Sequence, residues 1–420
     1  MLGSYRSKRH VYEHARDLGV SLVVIDGPDH WASEAGAPFE RHLPVALEPF
    51  ATFVDRAVMA ARASGLEFDG IGTIDEFAGG FAARIADRLA LPFHSVEAAD
   101  IARDKHRARE AAGAAGIPGP RVARIEGEGD VERAAATVGF PAVLKPVSGV
   151  GSVQAFRVES DVELRARVRA VFGEAAGARA ASRAGLGSDR DWFDLMWSGR
   201  PALILESWIE GPKFDVDLLL EEGAVAYGRV TDDLEPFGLR DVRRVAPSNL
   251  SAEDETALIA HAAACVRAIG FRRGAFNIEV KRTIDGPRTI EVNGRLGGYS
   301  TTDVHRAVWG VDLIEQWLRL SFRLPATAKP HPPAMFVAES LLPSPISGCL
   351  LADGFLAPVA GETQVVACRP WVFAGDTVAG VETGAPDWLG ALLTRGETRE
   401  GALRELDRLS AIIEPRIQPR

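Results

Sequence analysis

The spacing of apolar and polar positions divides the first quarter of the chain into alternating helix-period and strand-length stretches. Tyr5 to Leu18, Phe50 to Ala63 and Phe77 to Leu89 repeat apolar residues every three or four positions, which predicts amphipathic helices. Ser21 to Ile25 and Phe68 to Ile74 are apolar runs of strand length. Such alternation predicts a parallel sheet covered by helices. The first strand reads as truncated, because the chain starts at Met1-Leu2-Gly3. Val96 to Gly116 reads as one long helical stretch, stopped by Gly116-Ile117-Pro118-Gly119-Pro120.

Past that stop the strand period dominates. Strands are predicted over Arg121 to Ile125, Ala142 to Pro146, Val153 to Val158, Ala202 to Glu206, Phe214 to Leu220 and Ala224 to Val230. Helices are predicted over Asp130 to Val138 and Glu253 to Ile269, with one or two more over Val304 to Leu320 around Gly310. Residues 175–199, rich in Ala, Gly, Arg and Ser, read as an insertion or mobile surface loop. Beyond Leu324, prolines punctuate short β-type runs, and a helix closes the chain over Thr398 to Ile413. Five units follow: an N-terminal α/β domain (1–95), a linker helix (96–120), a small lobe (121–205), a large lobe (206–324) and a small β-rich C-terminal domain (325–420).

The most informative pattern is a hairpin. Gly274 to Lys281 and Arg288 to Asn293 alternate on either side of a turn at Asp285-Gly286-Pro287. Folding about Asp285 sets Glu279 opposite Glu291. Ile278, Val280, Ile290 and Val292 then share a core-facing side, and Asn277, Glu279, Lys281, Thr289, Glu291 and Asn293 share the other. Opposed carboxylates destabilise a sheet unless something positive lies between them. Hard oxygen ligands suit Mg²⁺, which commonly also takes nucleotide phosphate oxygens. The plain alternative is an ordinary hairpin with a wet, charged face.

Composition narrows the function. A net charge of −10 argues against a nucleic-acid binder. Three widely spaced cysteines, Cys265, Cys349 and Cys368, show no zinc spacing and fit a reducing cytoplasm. No apolar run is long enough for a membrane span. Lysines are scarce, Lys8, Lys105, Lys145, Lys213, Lys281 and Lys329. Lys145, at a strand end before the turn Ser148-Gly149-Val150-Gly151-Ser152, is one way to hold phosphates, although a plain hairpin turn explains the glycines equally well.

These residues together resemble the ATP-grasp superfamily over most of the chain. The resemblance implies an N-terminal α/β domain followed by two α+β lobes that hold ATP between them. Glu279, followed by Glu291, Asn293 and Arg295 in an E-x-N-x-R run, matches the family's metal and phosphate residues. Mg²⁺, with Mn²⁺ as a substitute, is thereby implied on Glu279, Glu291 and Asn293. Asp104-Lys105 and Pro141-Ala-Val-Leu-Lys145-Pro resemble the two phosphate-lysine motifs. Gly149 and Gly151 fit the loop that closes over the phosphates. Glu206-Ser207-Trp208-Ile209 resembles the adenine hinge. One departure stands out: the family's ribose-binding Glu is replaced by Lys213, which leaves Asp215 or Asp217 to take that role.

Within the superfamily the likeness is to carnosine synthases and bacterial L-amino-acid ligases, carried by Ser7-Lys8, by Glu210-Gly-Pro-Lys-Phe-Asp-Val-Asp217 and by Gly286 to Gly298. It implies that Arg295 contacts the carboxylate or acyl-phosphate and that Gly297 and Gly298 shape the substrate pocket. His305 reads equally well as a substrate contact or a satisfied helix histidine. The implied chemistry is amide formation between a small-molecule carboxylate and an amine, both amino acids, through an acyl-phosphate with Arg295 and Lys145 as catalytic groups. Dimers are common among such proteins. Rivals are another ATP-grasp ligase such as a carboxylase or a nucleotide-biosynthesis ligase, a phosphotransferase on the same fold, and a non-catalytic nucleotide binder.

Overall fold

The computed structural model describes residues 1–419 apart from 150, 153, 175–201, 235, 237, 299, 384 and 385. The insertion expected over 175–199 lies outside the described residues. The N-terminal unit holds α1 (Arg9–Asp17), β1 (Val23–Asp26), β2 (Arg41–Pro44), α2 (Phe50–Ala63) and α3 (Gly79–Leu89). β1 and β2 pair in parallel. Leu2 adds a parallel bridge to Ile25, and its N–H donates to the carbonyl of Gly72 at 3.1 Å. The strand expected over Phe68 to Ile74 does not form. Gly70 and Gly72 lie within it, packed so closely on Phe322 and Trp317 that a Cβ would meet those rings at 3.3 and 2.8 Å.

The expected linker helix is two helices, α4 (Val96–Arg103) and α5 (Lys105–Ala114). Asp104 between them is extended, and its carboxylate accepts from the N–H groups of His106 and Arg107. This N-cap satisfies donors that would otherwise be orphaned and sets Lys105 at the first helical position. The small lobe follows: β3 (Val122–Ile125), α6 (Val131–Val138), β4 (Ala142–Pro146), β5 (Phe156–Val158), α7 (Asp161–Glu174) and β6 (Leu203–Ser207). Its antiparallel sheet has the order β3-β6-β4-β5.

The large lobe comprises β7 (Lys213–Glu221), β8 (Ala224–Leu234), β9 (Arg243–Ala246), α8 (Ala252–Ile269), β10 (Gly274–Thr283), β11 (Gly286–Asn293), α9 (Thr301–Trp309) and α10 (Leu313–Ser321). Ser251 caps α8, three acidic residues occupy its first turn, and Gly270 ends it in the left-handed region. The remaining elements are β12 (Phe336–Pro343), β13 (Gly348–Leu350), α11 (Ala357–Ala360), β14 (Val365–Pro370), β15 (Thr377–Val378), β16 (Trp388–Gly396), α12 (Arg399–Ser410) and β17 (Ile417–Pro419). The main sheet runs β11-β10-β7-β8-β9-β12-β16-β14. Residues beyond 324, expected as a unit of their own, therefore add three strands to the large lobe's sheet. Only β15-β13-β17 form a small separate sheet there.

The hairpin β10–β11 lies at the edge of this sheet, with Glu279 opposite Glu291 as its pattern predicts. Ile278, Val280 and Val292 pack on Leu258, Val266 and Phe271. A bulge changes the expected faces. The register steps from Glu279↔Glu291 to Val280↔Thr289, so Ile290 is the extra residue. Thr289 is buried, within 3.0 Å of His261 Nε2 and 3.2 Å of Cys265 Sγ, while Ile290 turns to the cleft. A bulge inserts one residue into one strand and so re-aims a side chain.

Candidate active site

A cavity of about 340 Å³ opens between the small-lobe sheet and the hairpin. Its apolar lining includes Val143, Leu234, Leu239 and Ile290. Charged groups converge on it from four elements: Lys105 at the start of α5, Lys145 at the end of β4, Lys213 at the start of β7, and the two hairpin glutamates. Each of these lysines pairs with a carboxylate. Lys105 Nζ lies 2.8 Å from Glu291 Oε1, and it also donates to the carbonyl of Gly149. Lys145 Nζ lies 2.7 Å from Glu206 Oε2, and Lys213 Nζ lies 2.8 Å from Glu279 Oε2. Burial pushes the Glu291 carboxyl up, but Lys105, Lys145 and Arg295 outweigh it and hold the group far below the usual range.

The hinge is tied to both lobes. Glu206 is buried, and Arg109 Nε donates to its Oε1 at 2.8 Å. Arg109 also donates to the carbonyl of the bulged Ile290. Burial alone would raise the Glu206 carboxyl, yet Arg109 and Lys145 together hold it below the ordinary value. The Ser207 hydroxyl accepts from the N–H of Arg121, and the Ile209 carbonyl accepts from Lys281 Nζ at 2.9 Å. Arg157 and Lys281 each place a charged end over the Trp208 ring, 4.3 and 4.4 Å from its centroid. Ser207, Trp208 and Ile209 line the cavity.

Arg295 does not line this cavity; it borders a neighbouring pocket with Glu76, whose Oε2 lies 3.0 Å from its Nε. Burial lowers the Arg295 pKa, but Glu76 and Glu291 more than restore it. Arg103 stands 3.5 Å from the same Glu76 and donates to the Ser148 carbonyl. The N-terminal unit therefore supplies a carboxylate to Arg295, and Arg103 connects it to the glycine turn. Lys8 is half-buried in the same region. Burial lowers its pKa to about 8, with Glu339 and Asp303 opposing and Arg295 and Arg244 reinforcing the shift.

The donor set fits a hard divalent cation of the Mg²⁺ type. Glu279 and Glu291 offer carboxylate oxygens from opposed strands in the cavity wall, while Asn293 is buried beyond Glu291 with its Nδ2 given to Asn277. Among the described residues no three His, Cys, Asp or Glu side chains form a closed metal cage. A partial oxygen set is what Mg²⁺ uses when phosphate oxygens complete its shell.

Two family models match the chain: one described as ATP-grasp domain over residues 138–303, the other as ATP-grasp N-terminal domain over residues 12–93. The chain belongs to the ATP-grasp superfamily. It is 29% identical over 322 residues to carnosine synthase 1 of Homo sapiens, a match covering 73% of this chain and 37% of that protein. It is 30% identical over 370 residues to carnosine synthase 1 of Gallus gallus, covering 84% and 38%. The chain thus spans well under half the length of these curated relatives. The crystal structure of an L-amino acid ligase from Bacillus licheniformis superposes with a TM-score of 0.83 at 21% identity, covering 99% of this chain and 98% of that one. That likeness shows a shared ATP-grasp fold.

Several residues expected at the ATP-grasp site lie behind the cavity wall. Asp215 is buried against Arg244, 2.6 Å away, and Arg244 also pairs with Glu339. The carboxylates of the cavity wall next to Lys213 are instead Asp233 and Asp241. His305 is fully buried: Nε2 lies 3.0 Å from Asp217 Oδ2, and Nδ1 lies 2.7 Å from the Tyr227 hydroxyl. Both ring nitrogens are engaged, so the structure does not bring His305 to a substrate. A Cβ on Gly297 would come within 2.7 Å of Asp217 Oδ1 and of Thr301 Oγ1, so this glycine permits close packing more than it opens a pocket. Gly298 has open space beside it, and its carbonyl accepts from Thr301. Gly149 lines the cavity; Gly151 stands in the same turn with positive φ. Sequence reasoning missed Glu76, Arg109, Asp233 and Asp241. For Arg109 there was a signal: it follows Lys105 by one helical turn and so shares its face.

Proposed function

We propose that this chain is an ATP-dependent ligase joining a small-molecule carboxylate to an amine, with amino acids as both partners, and releasing ADP and phosphate. The observation that carries the reading is the charge layout of one cavity. Opposed carboxylates Glu279 and Glu291 wall one side, and Lys105 and Lys145 approach from the linker helix and the small lobe. Supporting it are the carnosine synthase relatives and the L-amino acid ligase fold.

Glu279, Glu291 and Asn293 would hold Mg²⁺, with Mn²⁺ as a substitute, and the ion would neutralise charge developing on the transferred phosphoryl group. Lys105 and Lys145 would bind phosphate oxygens in place of their present carboxylate partners. Ser207 to Ile209 and the bulged Ile290 would form the walls of the base pocket. Arg295, held by Glu76, would orient the substrate carboxylate through a two-point contact. That carboxylate oxygen attacks the γ-phosphorus, ADP leaves, and an amine then displaces phosphate from the acyl carbon. Closing the small lobe would keep water from the acyl-phosphate.

A matrix of amino-acid pairs scored for phosphate release tests the reading. Release that needs ATP, a carboxylate and an amine together supports it. Bicarbonate-dependent ADP release would favour a carboxylase instead, and a stable phosphorylated product would favour a phosphotransferase.

A further inference from the structure

Lys213 replaces the acidic residue that the ATP-grasp resemblance leads one to expect, and its surroundings explain what a cation does there. Its Nζ lies 2.8 Å from Glu279 Oε2, 2.5 Å from Asp241 Oδ2 and 3.5 Å from Asp233 Oδ2. One ammonium thus serves three carboxylates, all four groups in the wall of the same cavity. Asp233 is the least satisfied of them. Its side chain is 5% exposed, and neither of its oxygens has a hydrogen-bond partner. A buried carboxylate without hydrogen bonds is expensive unless something polar or positive can reach it. The other hairpin carboxylate, Glu291, is met in the same way by Lys105 at 2.8 Å. Each prospective metal carboxylate of the hairpin thus already has a lysine.

We propose that Lys213 is a displaceable counter-ion occupying the Glu279 end of the hairpin, so that a divalent cation binds with the nucleotide rather than ahead of it. The inference rests on the nucleotide reading given above. Without nucleotide, a divalent ion must compete with a tethered ammonium for Glu279. When phosphates enter, Lys213 gains anionic partners from the ligand, and Glu279 becomes free to ligate. The lysine therefore adds to the coupling between nucleotide and metal, and such coupling is reciprocal.

The test is the binding of Mn²⁺ alone, followed by electron paramagnetic resonance and calorimetry, in the wild type and in Lys213→Met, Lys213→Gln and Lys213→Arg. Far-UV circular dichroism verifies the fold of each variant. Without nucleotide, the wild type and Lys213→Arg should bind Mn²⁺ weakly. Lys213→Met and Lys213→Gln should bind about tenfold more tightly, within the usual range of coupling between sites. ADP should then tighten Mn²⁺ binding less in those two variants than in the wild type. Neutral variants that bind Mn²⁺ no better than the wild type would overturn the proposal. So would a nucleotide-free wild type that binds as tightly as such variants are expected to, a result that needs no mutant to fold. Failure of the wild type to bind ADP with Mn²⁺ would remove the nucleotide reading itself. ADP binding with Mn²⁺ affinity indifferent to residue 213 would remove only the role of Lys213.

Discussion

The Nε2 of His305 lies 3.0 Å from Oδ2 of Asp217, and that contact is one link in a buried chain leading to the hairpin. Asn277 Nδ2 donates to Asp217 Oδ1 at 3.1 Å, and Asn293 Nδ2 donates to Asn277 Oδ1 at 3.3 Å. At the other end the Tyr227 hydroxyl meets His305 Nδ1. An ionised carboxylate only accepts, so Nε2 donates to Asp217, and in the neutral ring Nδ1 is then the acceptor for the tyrosine hydroxyl. The chain commits the amide nitrogen of Asn293 to Asn277, so on the proposed metal reading its oxygen is the end that would serve the ion. Partners that orient a ligand in this way typically govern metal affinity by ten- to a hundredfold. His305→Ala should therefore weaken Mn²⁺ binding in the presence of ADP by about tenfold or more. Titration with Mn²⁺ and a melting curve on the same sample separate the effects. A lowered melting temperature with unchanged Mn²⁺ affinity would contradict the orienting role.

Gly297 makes a second test of that network from outside it. A methyl group there would meet Asp217 Oδ1 and Thr301 Oγ1 at 2.7 Å, closer than packed atoms tolerate. Gly297→Ala should push Asp217 from Asn277 and reproduce the loss of Mn²⁺ affinity, while Gly298→Ala, with open space beside it, should leave that affinity near the wild-type value. Equal effects at the two positions would argue against it.

Arg109 is predicted to hold the hinge. It and Glu206 form a buried pair, with side chains 7% and 6% exposed, and Lys145 completes the cluster. Removing one partner of a buried pair costs about 3 kcal/mol when the other charge is left uncompensated; Lys145 still meets Glu206 here, so the loss is that of the charged hydrogen bonds of Arg109, about 2 kcal/mol. Arg109→Met should lower stability by an amount of that order in denaturant titration, and Arg109→Lys should recover part of it. A loss under about 0.5 kcal/mol would place the pair among weakly coupled surface pairs.

Asp75 gives a pH signature. It is buried beside Gly3, and burial raises its pKa to about 6, against hydrogen bonds from Tyr5, Phe77 and Ala78 that lower it. The folded protein therefore keeps this proton to higher pH than the unfolded chain, and stability falls as pH rises from about 4 to about 6. Above that window the ionised, buried group is a fixed liability. Asp75→Asn keeps an acceptor for the Phe77 and Ala78 N–H groups. It should be more stable than the wild type at pH 7.5 by about 2 kcal/mol, with the difference fading below pH 4. A variant less stable at pH 7.5 would contradict the assignment.

Local rules made the hairpin legible. Period-two alternation and the Asp285-Gly286-Pro287 turn set Glu279 against Glu291, the register that the structure has. The same alternation misplaced Thr289 and Ile290, because a bulge leaves no mark in a pattern of two. The linker break at Asp104 carried a readable cap signal that a continuous apolar period concealed. The surroundings of the site were less accessible. Glu76, Asp233 and Asp241 come from separate units and strands, and only the tertiary fold brings them to Arg295 and Lys213. His305 was undecidable from sequence because a buried histidine and a substrate histidine differ in what surrounds them. The sheet continuing through β12, β16 and β14 was hidden by the prolines after Leu324, which read as a domain boundary.

The most direct measurement of the ligase account follows oxygen. An amino acid that supports phosphate release is supplied with ¹⁸O in its carboxyl group, together with ATP and its amine partner, and the products are read by mass spectrometry. Attack of that carboxylate on the γ-phosphoryl group carries one ¹⁸O into the released phosphate, and the product mass equals acid plus amine less one water. Both results together are predicted. Phosphate without label, or ADP formed with no amide product, would contradict the account.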